Sequence, residues 1–267
     1  MPPTPPPASV VRAFGAVDPP RALVGGQGTS WISGDLVLKP TGGPVHDWLA
    51  EALEDVTPDG FRLAAPVRSR LGTWSWAGWS ATRWVEGSEP AFTMLPAWLR
   101  IIEAGRAFHR AVAHLGRPDC LDRRDDRWAV ADRMAWGERD LAIHPELADV
   151  GRRLQGAVEP LGAAQVVHGD LTGNVLLSPT LPPAVIDIAP YWRPPAYAEG
   201  VVVADALCRP DTPPSLVDRA DVPLAATARA LLFRMATTSL AGSNHGARVD
   251  VADAARRYDA AARAIGV

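Results

Sequence analysis

The 267-residue chain is 47% hydrophobic and 21% charged, the balance of a soluble globular protein long enough for one large domain or two small lobes. Its formal net charge of −3, with no basic stripe interleaved with aromatics, excludes a nucleic-acid binder driven by bulk charge, and no run reaches the length of a membrane span. Cys120 and Cys208 stand far apart without metal-ligand spacing, as ordinary thiols of a reducing compartment do, and the N-terminus lacks the basic and apolar regions of a signal peptide, so a cytoplasmic location is expected.

Residues 1–8, rich in proline, are expected to form a polyproline-like or disordered lead. Residues 9–17 have the spacing of a short helix, with Val10, Val11 and Phe14 on one side. Residues 21–39 read as strand, glycine-rich turn, strand, tight turn at Gly34-Asp35, and strand. Gly25, Gly26 and Gly28 would let the backbone approach a ligand without a Cβ in the way, with N–H groups facing phosphate oxygens, although a glycine-rich hairpin is more often only a hairpin. Of 27 Lys plus Arg, Lys39 is the single lysine. In so arginine-biased a chain this position points to a need for a compact ammonium rather than a planar fork.

Residues 46–56 have helical spacing, and Glu51 or Glu54 is a candidate to hold Lys39 by an ion pair, with Glu51 preferred as the less terminal. Residues 61–67 and 73–84 read as two further strands, and the run 81–87 leads into Ser88-Glu89-Pro90, a linker signal. Five strands and one helix make residues 9–87 a small lobe, with a helical lobe over 88–267. There, Trp98, Ile101, Ile102, Gly105, Phe108, Val112 and Leu115 form one stripe of a long helix, and His109 and His114 are expected at the core edge or surface rather than as ligands. Residues 125–136 and 145–158 read as helices, and the charge run 122–127 as a solvated helix start. Further helical patterns follow at 200–208, 214–219, 223–241 and 249–265. Trp192, Tyr197, Glu199, Asp205, Asp211, Asp218 and Asp221 are open to either reading, facing a substrate cleft or serving as caps, solvated charges and packing residues.

Between these helices, residues 166–177 read Val-Val-His-Gly-Asp-Leu-Thr-Gly-Asn-Val-Leu-Leu, and residues 184–188 Ala-Val-Ile-Asp-Ile. Strand, polar loop, strand, then a strand ending in aspartate would place Asp170, Asn174 and Asp187 close together. Phosphoryl transfer needs such a group: a carboxylate to orient and deprotonate a hydroxyl, and an amide with a second carboxylate to hold magnesium. A Gly-Asp pair between strands is by itself most often a turn.

With the glycine loop, lone lysine, helix glutamate, linker, His168-Gly169-Asp170, Asn174 and Asp187 in that order, the chain resembles the aminoglycoside phosphotransferase and choline kinase-type small-molecule kinases over roughly residues 21–205. Its Ala-, Arg- and Pro-rich composition is similar to that of actinobacterial members. The resemblance implies an α+β, protein-kinase-like bilobal fold binding ATP and Mg2+, with the adenine held by the linker at Trp84, Val85, Glu86 and Gly87. It implies Asp170 as catalytic base, Asn174 and Asp187 as metal ligands, and Lys39 on phosphate and Glu51. Asp170 and Asn174 are four steps apart where the family has five, Asp187 is followed by Ile188-Ala189 rather than Phe-Gly, and Ala198-Glu199 stands where the family segment continues to an Asp. The short connection after Asp187 favours a small-molecule hydroxyl over a peptide. A nucleotide-binding pseudokinase acting as a regulatory or interaction module is the alternative, and a metal-dependent hydrolase using His168 and Asp170 lacks a second histidine ligand.

Overall fold

The computed structural model describes residues 4–23, 28–242 and 250–267. Pro7 has polyproline geometry (φ −57°, ψ 150°), and its carbonyl accepts from the N–H groups of Val10 and Val11 to start helix α1 (Ala8–Ala13). The helix stops short of residue 17 because Gly15 turns left-handed (φ 70°) just beyond it. Val10 and Phe14 are buried with Leu36, Leu38, Trp79 and Ala81 in the small core under the first sheet.

That sheet is antiparallel. Strands β1 (Arg21–Ala22), β2 (Trp31–Ser33) and β3 (Leu36–Pro40) precede helix α2 (Pro44–Glu54), and β4 (Arg62–Leu63), β5 (Pro66–Val67), β6 (Ser75–Trp76) and β7 (Trp79–Arg83) follow. The order is β1-β2-β3-β7-β5, with β6 paired to β7. Residues 73–84 are therefore a hairpin rather than one strand. Ala77 and Gly78 both take positive φ (49° and 75°), the two-residue turn whose twist matches that of paired strands.

The segment 61–67 also departs from a single strand of the small lobe. Only β5 joins the first sheet, while β4 pairs in parallel with β10 (Ala184–Val185) of the larger part. Phe61 meets Phe108 edge to face with ring centroids 5.9 Å apart, and Arg62 donates to the carbonyls of Pro182 and Glu86. Burial of Phe61 thus draws this stretch to the other core.

The larger part begins with α3 (Leu95–Ala111), which buries Trp98, Ile101, Ile102, Gly105 and Phe108 along the expected stripe. After α4 (Asp119–Asp122), helix α5 (Arg127–Ala135) is capped by Asp126, whose carboxylate accepts from the N–H groups of Trp128 and Ala129. The charge run is therefore a cap with a half-buried Arg124 holding Asp126, not merely a solvated start. A 3-10 turn at Pro145–Leu147 leads into α6 (Ala148–Gly156). Then come β8 (Gln165–His168), β9 (Val175–Leu176), β10, β11 (Pro190–Arg193), α7 (Pro195–Leu207), α8 (Leu216–Ala220), α9 (Leu224–Gly242) and α10 (Val251–Ala264).

Helices α7 and α9 cross at Gly200, where an added Cβ would lie 2.5 Å from the Ala226 carbonyl carbon, so glycine is what lets the backbones touch. One continuous core joins Leu49 and Leu53 of α2 with α3, Val166, Val175, Val185 and α7. Helix α2 and the strands that carry the polar loop are therefore rooted in the same apolar cluster. Among the described residues no helix is long and apolar enough to cross a membrane.

Candidate active site

Two short antiparallel pairs build the loop. β8 pairs with β11 (His168 opposite Pro190), and β9 pairs with β10 (Val175 opposite Val185). The loop 169–174 leaves β8 and enters β9, while Asp187 lies just past the end of β10. Because the Ile186 N–H donates to the Asn174 carbonyl at 2.9 Å, the register itself sets Asn174 and Asp187 on adjacent chain ends.

His168 is the knot of this arrangement. Its ring Nδ1 accepts from the N–H groups of Asp170 (3.2 Å) and Ala189 (3.4 Å), so Nε2 carries the proton and donates to the Ile186 carbonyl at 3.2 Å. One neutral ring thereby ties the start of the loop to the chain on both sides of Asp187. His109 supports it, accepting from the His168 N–H through Nε2 at 3.1 Å. Gly169 is required by close approach, since a Cβ there would lie 2.4 Å from the Tyr191 ring. His109 is thus a buried core residue, and His168 shapes the loop without reaching a substrate.

Burial lowers the pKa of both rings, His109 to about 3. In the unfolded chain both titrate near the ordinary value of ~6.5. Below that pH the unfolded state binds more protons, so stability falls as the pH drops from ~6.5 towards about 3. For His109 the loss is expected to be on the order of 2 kcal/mol by about pH 5. Thermal unfolding between about pH 7.5 and 5 checks this, and an unchanged Tm would contradict neutral burial.

The four-step spacing closes as a tight turn. The Asn174 N–H donates to the Leu171 carbonyl at 2.9 Å, with Gly173 left-handed (φ 82°) inside it. The Asn174 side-chain Nδ2 donates back to the Asp170 carbonyl at 2.7 Å, so that the amide oxygen Oδ1 is not used in this bond. Asp187 takes a left-handed backbone (φ 46°), and its carboxylate forms an ion pair with Lys39, which comes across the cleft from β3. Lys39 and Asp187, 148 residues apart by number, thus reach one point.

The cleft between the sheet and these loops has a volume of about 630 Å3. Val37, Leu49, Leu53, Ala64, Val85, Leu176 and Ile186 give it apolar walls, and Lys39, Asn174 and Asp187 stand at its polar end. Trp84, Val85 and Gly87 of the linker line it, and Val85 makes no backbone hydrogen bond among the described residues. Glu86 is not part of the lining, and its carbonyl accepts from Arg62 Nη2 at 2.7 Å. Gly25 and Gly26 lie outside the described residues. Gly28 is left-handed (φ 68°), with no atom of the described residues within 4 Å of an added Cβ, while Leu23 and Ser30 line the cleft.

Glu51 is not the partner of Lys39. It accepts from Arg68 Nη2 at 2.9 Å and from Trp74 Nε1 at 2.8 Å, and Glu54 also binds Arg68. Helix α2 turns its apolar face, Leu49, Ala50 and Leu53, towards the cleft. Glu51 consequently falls on the side facing Arg68, whose guanidinium stacks on Trp74 at 4.0 Å.

Among the residues left open by the sequence, Tyr197 is buried and Glu199 pairs with Arg106. Asp205 grips Arg234 of α9, and the same guanidinium reaches Asp170 Oδ1 at 2.9 Å. Arg234 was not singled out by sequence, although one arginine in the apolar run Ala230-Leu231-Leu232-Phe233-Arg234-Met235-Ala236 is a legible signal of a buried, paired charge. Arg124 is a second addition, since it lines the cleft beside Pro190.

Among the described residues no group of three or more His, Cys, Asp or Glu could by itself hold a metal ion. One carboxylate and one amide oxygen, completed by phosphate oxygens and water, is nevertheless the donor set by which Mg2+ is commonly bound beside a nucleotide. Apolar walls for a flat base and a lysine at the polar end likewise fit ATP.

No protein-family model and no curated protein matches the sequence. Solved structures do match the fold. An aminoglycoside phosphotransferase from Alicyclobacillus acidocaldarius is 18% identical with a TM-score of 0.59, the alignment covering 98% of this chain and 93% of that one. A choline/ethanolamine kinase family protein from Mesorhizobium loti is 18% identical with a TM-score of 0.60, covering 95% and 90%. A spectinomycin phosphotransferase, in complex with ADP and spectinomycin, is 12% identical with a TM-score of 0.55, covering 96% and 95%. The chain therefore has the α+β, protein-kinase-like fold of the aminoglycoside phosphotransferases and choline kinases.

Proposed function

We propose that the chain is an ATP-dependent phosphotransferase that moves the γ-phosphate of ATP to a hydroxyl of a small molecule of the aminoglycoside, sugar or amino alcohol kind. The observation that carries this reading is the meeting of Lys39 with Asp187 beside Asn174, at the polar end of an apolar cleft lined also by Gly173 of the loop that begins at Asp170. Fold alone does not assign chemistry, so the weight rests on these residues. The spectinomycin phosphotransferase of the same fold was solved with ADP and spectinomycin, in keeping with a nucleotide and a hydroxyl acceptor as cleft ligands.

In this reading Lys39 supplies a compact positive charge to the phosphates, and the Asn174 amide oxygen with the Asp187 carboxylate would hold Mg2+. The bound nucleotide and metal ion supply the transferable phosphoryl group and neutralise its charge. Asp170 orients the acceptor hydroxyl and takes its proton. His168 and Gly169 keep the Asp170 backbone seated, and the linker at Trp84, Val85 and Gly87 offers its backbone to the base. The ion pair between Lys39 and Asp187 gives each charge a partner in the nucleotide-free cleft, so binding exchanges it for phosphate and metal contacts.

A thermal-shift titration with ATP and Mg2+, coupled to ADP release over amino sugars, sugars, amino alcohols and aminoglycosides, tests the proposal. Nucleotide at about a hundredfold its Kd is expected to stabilise the fold by ~2.7 kcal/mol, with ADP released for at least one acceptor class. The Asn174 amide bonded back onto the Asp170 carbonyl is the observation that favours a second reading, a nucleotide-binding pseudokinase module. Stabilisation without turnover over the whole panel selects that module, and absence of any nucleotide shift removes both.

A further inference from the structure

We propose that Arg234 is a positioning residue of the transfer: braced by Asp205, it fixes one oxygen of Asp170, Oδ1, so that the other, Oδ2, is the atom that receives the acceptor proton. This rests on the phosphotransferase reading above. Arg234 donates from Nε to Asp205 Oδ1 and from Nη2 to Asp205 Oδ2, each at 2.6 Å, and the same Nη2 reaches Asp170 Oδ1 at 2.9 Å. Its neighbours in α9, Phe233, Met235 and Ala236, are buried, and its own side chain is 19% exposed. A cation at such a place carries a large desolvation cost and persists only when well paired.

Asp205 alone would complete a purely structural pair, for it already makes a bidentate pair along the Nε–Nη2 edge of the guanidinium. The third bond runs instead to a carboxylate that is 46% exposed, at the surface of the loop. The remaining groups around Asp170 leave one oxygen uncommitted. Its N–H is given to His168, a neutral ring, and its backbone carbonyl accepts from Asn174. Among the described residues Oδ2 has only the Asn174 Nδ2 at 3.5 Å, a distance at which little hydrogen bonding remains. With Oδ1 held from α9 and α7, the carboxylate has one orientation, and the proton of an incoming hydroxyl has one acceptor. Such preorientation lowers the barrier because the loss of rotational freedom is met before the substrate arrives.

The test combines steady-state kinetics of Arg234→Gln and Arg234→Lys with a double-mutant cycle of nucleotide-free thermal unfolding on Arg234→Gln and Asp170→Asn. Arg234→Gln is expected to lower kcat by about a hundredfold while the KM for ATP stays within about threefold. Arg234→Lys, which returns the cation but not the fork, is expected to recover about tenfold of that loss. The unfolding shifts are expected to be non-additive by about 2 °C or more. A Gln variant with kcat within about twofold of the parent, or a Lys variant no faster than Gln, overturns the proposal. If Arg234→Gln does not fold, Arg234→Lys and Asp205→Asn decide: reduced kcat with an unmoved KM for ATP supports the positioning role, and unchanged kcat overturns it. If the parent protein turns over no acceptor, it is the phosphotransferase reading that has failed, and additive unfolding shifts would then overturn the clamp independently.

Discussion

Asp170→Asn is expected to lower kcat by about a thousandfold while leaving ATP and Mg2+ binding within about threefold of the parent. The amide keeps the shape of the carboxylate and an oxygen that can still accept from Arg234 Nη2, so the contact that holds the side chain survives in weaker form. What disappears is the capacity to take a proton. The loop itself does not depend on the carboxylate, because the Asp170 N–H is anchored on His168 and its carbonyl on Asn174. Steady-state ADP release measures the loss, and a nucleotide thermal shift measured alongside it separates lost chemistry from lost binding. Normal turnover in a folded Asn variant would remove Asp170 as the base.

Asp187→Asn is expected to weaken Mg2+-dependent ATP binding by at least about a hundredfold, and turnover with it. Asparagine is the substitution of choice because Asp187 sits at φ 46°, a left-handed conformation that asparagine accepts more readily than most residues. The change therefore removes charge with little backbone strain. Its cost to the nucleotide-free fold is small, since the ion pair with Lys39 joins side chains that are 32% and 55% exposed, and pairs of that kind contribute about 0–1 kcal/mol. Titration of ATP with and without Mg2+ reads the effect directly. A variant whose Mg2+-dependent affinity matches the parent would mean that Asp187 serves Lys39 and not the metal ion. The two substitutions have opposite signatures, one losing kcat with binding kept and the other losing binding first, so each controls for the other.

Several parts of the fold and site are local enough to be legible in the chain. The stripe from Trp98 to Leu115 is a helix because its apolar side chains recur at helical spacing, and α3 buries most of them. The loop 166–177 is legible because two β-rich runs flank a polar turn, and Asp187 because it ends the next strand. Lys39 stands out through composition alone, and the structure puts it at the cleft. In these cases residue type and short-range period carry the information.

Partner choice is not local, and there the sequence reading departed from the structure. The sequence offers Glu51 or Glu54 as the lysine partner, yet which side of α2 faces the cleft is decided by where Leu49, Ala50 and Leu53 find apolar contact, and that places Glu51 against Arg68 and Trp74. Phe61 likewise carries β4 away from the small sheet into the core of α3, a choice between two hydrophobic surfaces that no turn signal encodes. Arg234 lies 64 residues from Asp170, and only the close crossing of α7 and α9 at Gly200, with Asp205 on one helix and Arg234 on the other, brings the guanidinium to the loop. By itself the sequence determined the chemical groups and the local backbone that presents them, because turns, strands and helix faces depend on neighbours within a few residues. Only the tertiary structure decided which charge meets which, since a buried ion pair is selected by the packing that removes water from both partners at once.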